Sequence, residues 1–176
     1  MHYEKYISGG RVFAGKIVDL HHDIVELENG KQALREVIRH PGAVGILAKD
    51  GDALLFVRQY RYAVEQELLE ITAGKLEPGE DPAAAALREL QEETGMQAQR
   101  MEPLGEFYAS PGVYNEVIHL YFAQDMIFVG ENPDENEFVT PVRMTPAEFE
   151  QLLAQGKVRD GKTVCAFALA KAKGLL

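Results

Sequence analysis

Cysteine is almost missing from this chain, and cationic side chains are scarce. The single cysteine, Cys165, cannot close an intramolecular disulfide and excludes a four-cysteine zinc site. That usage leads us to expect a reducing compartment, the cytoplasm. No apolar run reaches the length needed to span a bilayer. Met1-His2-Tyr3-Glu4-Lys5 does not read as a secretory leader, because no apolar core follows a basic start. Internal repeats, low-complexity tracts and long linkers are also lacking, and 176 residues are enough to bury a sizeable core. Only 18 Lys and Arg stand against 28 Asp and Glu, a formal net charge of −10. A field of that sign argues against nonspecific binding to nucleic acid or anionic membrane. It also sets a problem for any anionic substrate, which would need local arginines and carboxylate-held cations to approach.

What is present reads as strands first. Arg11 to Leu20 and Asp23 to Glu28 are β-rich, and Asn29-Gly30 predicts a two-residue hairpin turn into a strand near Gln32 to Arg39. Ala43 to Ala48 and Ala53 to Tyr60 flank the turn signal Asp50-Gly51-Asp52, and Leu68 to Ala73 reads as one further short strand. A helix follows: Asp81 suits the N-cap, Pro82 the first helical position and Gly95 the residue past the end. Strands are expected near Leu104 to Ala109, Glu116 to Ala123 and Phe138 to Met144. Thr145-Pro146-Ala147-Glu148 is a capping box that opens a helix to about Gln155, and a last helix covers about Lys162 to Lys173. Interspersed strands and helices predict a mixed sheet between helical layers.

The helix after Asp81 carries Glu89, Glu92 and Glu93 at i, i+3 and i+4, three carboxylates on one face within one turn. Each like-charge pair costs about 0.2–0.5 kcal/mol on an isolated helix. Taken alone, the trio reads as a solvated acidic face. As a site it would suit a hard divalent cation, which prefers oxygen ligands. The flanks decide. Gly74 is followed after five residues by Glu80, and after seven more by Arg88-Glu89-Leu90-Gln91-Glu92-Glu93-Thr94-Gly95-Met96. This resembles the Nudix box at Gly74, Glu80, Arg88, Glu89, Leu90, Glu92, Glu93, Gly95 and Met96. Seven fixed positions at roughly one in fifteen each make a chance match on the order of one in 10⁸ per starting point. The solvated-face reading falls with that figure.

The resemblance implies an α/β Nudix fold: an α/β/α sandwich with a mixed sheet and an N-terminal antiparallel strand extension. It divides the chain into a strand region, 1–42, that contributes to dimerisation and to the substrate site, and a hydrolase domain, 43–176. It implies Glu92 and Glu93 as direct metal ligands, with Glu89, Glu80 and the carbonyl near Ala73 beside them. Mg²⁺ is the expected ion and Mn²⁺ a substitute. Arg88 is expected to pair with carboxylates of the box. Leu87, Leu90 and Met96 lie off the acidic face and are expected in the core.

Other segments narrow the substrate. Pro111, in Ser110-Pro111-Gly112, stands sixteen residues past Gly95, where ADP-ribose pyrophosphatases of the family carry a proline marker. Arg35-Glu36-Val37, His40 to Val44, Val57 to Arg61 and Leu69 to Gly74 resemble the N-terminal half of those bacterial enzymes. By that resemblance Arg61 serves the substrate's phosphates, Arg58 is a second candidate, and Arg35 serves the adenosine half. Asp134-Glu135-Asn136-Glu137 resembles their acidic loop, which supplies the proton acceptor, Glu135 first and Glu137 as partner or replacement. Glu89 and Arg88 complete the expected catalytic set. The expectation is a homodimer that hydrolyses ADP-ribose to AMP and ribose 5-phosphate. The alternatives are another nucleoside-diphosphate sugar, a dinucleotide, or a binding module without turnover, which need not keep the glutamate set. No DNA-binding segment is appended. His21 and His22 point to opposite faces of an extended chain and make a poor metal pair. Cys165 lies among Val164, Ala166, Phe167 and Leu169, as a packed helix residue would. Tyr6, Tyr60, Tyr108 and Tyr114 are possible adenine platforms, although most tyrosines simply pack.

Overall fold

A computed structural model describes residues 2–130 and 138–176. The chain forms two compact units, Met1–Gly42 with Tyr108–Val117, and Ala43–Phe107 with Ile118–Leu176. Pro111 thus belongs with the N-terminal strands, a grouping that a boundary at residue 42 alone misses.

In the first unit, β1 (Lys5–Ala14), β2 (Asp19–Glu26) and β3 (Gln32–Arg39) form an antiparallel sheet in that order. The expected strand Arg11 to Leu20 is in fact broken. The Gly15 N–H turns back onto the Val18 carbonyl at 2.8 Å, so β1 and β2 are separate strands. The turn after β2 also differs from a two-residue hairpin. The Leu27 N–H reaches the Lys31 carbonyl at 2.8 Å, and the Asn29 side chain accepts the Lys31 N–H at 3.0 Å, which leaves three residues in the loop. Gly30 takes φ of 76° there, the left-handed region that glycine enters without strain.

The second unit is built on a mixed sheet. β4 (Ala43–Asp50) pairs with β5 (Ala53–Arg61) only over its last residues, Ala48 to Asp50. Beyond that the two strands part. The gap is filled by β6 (Gln66–Glu70), antiparallel to β5, and β7 (Thr72–Lys75), antiparallel to β4. The single strand expected from Leu68 to Ala73 is therefore two strands that change partner at Ile71. The Ile71 N–H leaves the sheet and donates to Thr163 Oγ1 at 2.8 Å. Hydrophobic period cannot reveal such a switch, because the residues on both sides of it, Leu69 to Thr72, are buried. β8 (Met96–Tyr108) and β9 (Val117–Phe128) run longer than their apolar stretches predict, β9 is parallel to β4, and β10 (Val139–Met144) lies on the far edge of β5.

Alternation along β4 and β5 assigns the two cores. Val44, Ile46, Ala48 and Leu55 face α1 (Pro82–Thr94), where Ala85, Ala86 and Leu90 are fully buried. Leu47, Leu54 and Phe56 face α2 (Pro146–Ala154) and α3 (Gly161–Ala172). There Phe149 stacks on Phe56 with centroids 4.6 Å apart and rings 9° from parallel. Burying each such side chain contributes about 1.5–3 kcal/mol. This is the expected α/β/α layering, and the capping box at Thr145 and the end of α1 at Gly95 also stand as read. Leu87 does not join the core; it is 39% exposed, so the apolar stripe of α1 is narrower than predicted. Among the described residues, no helix is long and apolar enough to cross a membrane.

Candidate active site

The site is organised by the start of α1 and the loop ahead of it. The Asp81 side chain caps the helix by accepting from the N–H groups of Ala83 and Ala84, and Pro82 occupies the first turn, where an N–H is dispensable. The Glu80 N–H donates to the Glu77 carbonyl and the Glu77 N–H to Glu80 Oε2, which closes the loop between β7 and α1. Gly74 lies at the end of β7 because nothing larger fits. A Cβ there would stand 1.9 Å from the Glu89 carboxylate carbon and one of its oxygens. The bare Cα lets the backbone at Ala73-Gly74 and the Glu89 carboxylate lie side by side.

Arg88 holds the acidic residues together. Its Nε and Nη2 fork onto the two Glu80 oxygens at 3.0 Å each. Its Nη1 donates to Glu89 at 2.8 Å and to Glu92 at 2.9 Å. One guanidinium thus serves three carboxylates, the geometry for which its planar fan of donors is suited. The pairing with Glu80 first, and with Glu89 next, drives the Arg88 pKa upward against the opposing effect of burial. Glu80 moves the other way, held below the usual glutamate range by Arg88 and by the Glu77 N–H. Glu93, one turn along the same face, is buried. Its charge also raises the pKa of Arg61, after the larger effects of Glu70 and Asp160, so Arg61 feels the field of Glu93.

Among the described residues, no three acidic, histidine or cysteine side chains stand as a finished metal shell. The donors are nonetheless of the right kind. Carboxylate oxygens on one helix face, beside a main-chain segment brought close by a missing Cβ, fit a hard divalent cation.

The arginines named from the sequence each have an acidic neighbour. Arg61 forks onto Glu70 with both distances at 2.7 Å. Arg58 stands 3.7 Å from Glu67. Arg35, in the first unit, forks onto Glu4. Pro111 lines a groove of about 400 Å³ in the first unit with Tyr108, Tyr114, Asn115 and Val37. Glu135 and Glu137 fall in the segment outside the described residues. His21 and His22 take different partners, Asp19 and Glu36, as side chains on opposite faces must. Cys165 packs partly buried against the α2–α3 core. Sequence reasoning passed over Glu70 and Lys162. The available signal was a charge inside the apolar run Leu68-Leu69-Glu70-Ile71, which must find a partner when buried.

The profile of the NUDIX domain family matches residues 39–167. The chain belongs to the Nudix family. Its curated relatives include an ADP-ribose pyrophosphatase of Bacillus subtilis, 40% identical over 98% of this chain and 95% of that protein. A methanol dehydrogenase activator of Bacillus methanolicus is 45% identical over 93% of this chain and 90% of that one. Among solved structures, an ADP compounds hydrolase superposes with a TM-score of 0.88 at 25% identity, covering 100% of this chain and 98% of the other. The Nudix box therefore coincides with the loop, helix start and glutamate face just described, and the chain is read as a Nudix-type diphosphatase.

Proposed function

We propose that this protein hydrolyses the diphosphate bond of ADP-ribose to AMP and ribose 5-phosphate, in the cytoplasm, with Mg²⁺ and with Mn²⁺ as a substitute. The observation that carries the reading is the Glu89 carboxylate packed on the bare Cα of Gly74, on a helix where Arg88 ties Glu89 to Glu92. The names of a 40% identical relative and of a structural neighbour supply the substrate class. Glu92 and Glu93, with Glu89, Glu80 and the Ala73 carbonyl, would hold the cation. When bound, a divalent cation neutralises phosphoryl charge and activates water. The remaining work falls to side chains. Arg61 and Arg58 grip diphosphate oxygens through N–H forks, Arg35 binds the adenosine half, and Pro111 belongs to the same substrate-binding set. Water adds to one phosphorus, the bond from that phosphorus to the bridging oxygen breaks, and Glu135 or Glu137 takes the proton. A carboxylate beside a cation is held ionised and makes a poor base, so the acceptor belongs on a separate segment.

Purified protein assayed with Mg²⁺ against ADP-ribose, GDP-mannose and NADH tests this directly. The highest kcat/KM is expected on ADP-ribose. Glu135→Gln or Glu137→Gln should lose about 10²–10⁴ in kcat, the range for a general base. Faster turnover of a different compound would replace the substrate, and wild-type rates in both variants would remove the loop from the mechanism.

A second reading rests on the 45% identity to the methanol dehydrogenase activator. In it, the protein raises the rate of a partner alcohol dehydrogenase. Adding it to a methanol dehydrogenase should then accelerate alcohol oxidation, and an unchanged rate would dismiss the idea.

A further inference from the structure

Behind Arg61 lies a charged cluster that the diphosphatase reading does not use. Glu70, 1% exposed, accepts the Arg61 fork on both oxygens and the Lys162 ammonium on Oε2 as well. Lys162 also reaches Asp160 at 3.0 Å. Asp160 caps α3 by accepting from the Thr163 N–H at 3.0 Å and from its hydroxyl at 2.5 Å. Thr163 in turn accepts the Ile71 N–H at the point where β6 gives way to β7.

Two cations and two anions balance, but they are not equally placed. The Arg61 side chain is 41% exposed, whereas Glu70 is buried and Asp160 and Lys162 are mostly covered. The cluster therefore presents its positive end to solvent and keeps its negative charge behind. Stability alone is a poor reason for such an arrangement. Buried ion pairs replaced by well-packed apolar side chains often leave a protein as stable or more so. Orientation is a better reason. The fork on Glu70 engages Nε and Nη2, and so fixes the plane of the guanidinium while Nη1 points away from that carboxylate.

We propose that Glu70, backed by Lys162 and Asp160, is a positioning residue that aims the Arg61 guanidinium at the substrate's diphosphate. This rests on the diphosphatase reading above. Glu70 is not a competitor for Arg61, because Lys162 already shares its charge and Arg61 Nη1 stays outside the fork.

Equilibrium binding of ADP-ribose and of ADP, measured by calorimetry in excess chelator, tests the proposal without relying on turnover. Arg61→Ala and Glu70→Gln should each weaken binding about tenfold, and the double variant should bind no more weakly than Arg61→Ala alone, the signature of coupled residues. Arg61→Lys keeps the charge but cannot hold Glu70 and phosphate in one plane. It should bind as weakly as Arg61→Ala, and it keeps the test alive should Glu70→Gln fail to fold. With metal restored, Glu70→Gln should raise KM more than it lowers kcat. Additive losses, tighter binding by Glu70→Gln, or wild-type affinity in Arg61→Lys would each overturn the proposal. Wild-type turnover of ADP-ribose separates the two readings. If ADP binding shows the coupling but ADP-ribose is not hydrolysed, positioning stands and the substrate falls. If ADP-ribose is hydrolysed but the two residues act independently, the substrate stands and positioning falls.

Discussion

Gly74 is a glycine for the space it leaves beside Glu89, not for an unusual backbone angle. Gly74→Ala puts a methyl group 1.9 Å from that carboxylate, so the carboxylate must move. Misplacing a reacting group by about 1 Å costs on the order of 10²-fold, and we expect a loss of that size in kcat/KM while far-ultraviolet circular dichroism stays unchanged. Activity within a factor of two of wild type would mean that the Glu89 position is immaterial. The spacing of Gly74 to the glutamates is plain in the sequence, but its cause is not, since the carboxylate it makes room for lies fifteen residues on. Glu70 was harder to read. A lone charge in an apolar strand announces a partner without naming it, and Lys162 is ninety-two residues away.

At the level of elements, the change of partner at Ile71 ties β6, β7 and α3 together, and Glu70 is the charged part of that joint. Burial pushes the Glu70 carboxyl up, but hydrogen bonds and charges from Arg61 and Lys162 outweigh it and hold the group below the ordinary value of 4.5. A carboxylate with a depressed folded-state pKa stabilises the fold above its ordinary value, and that contribution is lost as pH falls through the folded-state value. Glu70→Gln should therefore melt below wild type at pH 7, with the gap narrowing as pH drops under 4.5. Thermal unfolding across that range checks it, and a gap that stays constant or widens would contradict it. The helices were legible because their caps are local: Asp81, Thr145 and Gly95 each act within four residues. The switch from β6 to β7 was not, because its cause is Thr163 on another element.

On the scale of the whole molecule, a net charge of −10 leaves an anionic substrate dependent on local cations. In the proposed reading, Arg61 backed by the buried Glu70 is one answer, and a cation on the α1 glutamates is the other. The first unit exposes Val12, Phe13, Ile17 and Leu34. Exposed apolar side chains are what an association surface would cover, and the homodimer implied by the family resemblance would use them. Light scattering at micromolar concentration should return twice the chain mass, and a fully active 19.6 kDa monomer would exclude the dimer. Global layering followed from the alternation of strands and helices, whereas the grouping of Tyr108–Val117 with the N-terminal strands depends on long-range pairing that no local pattern announces. The central claim is that the α1 glutamates run a metal-dependent hydrolysis, and turnover of ADP-ribose at saturating Mg²⁺ by Glu92→Gln and Glu93→Gln tests it most directly. Each substitution keeps the side chain's size and removes its charge, so we predict a fall of about 10²–10³ in kcat for each; near-normal rates in both would contradict the account.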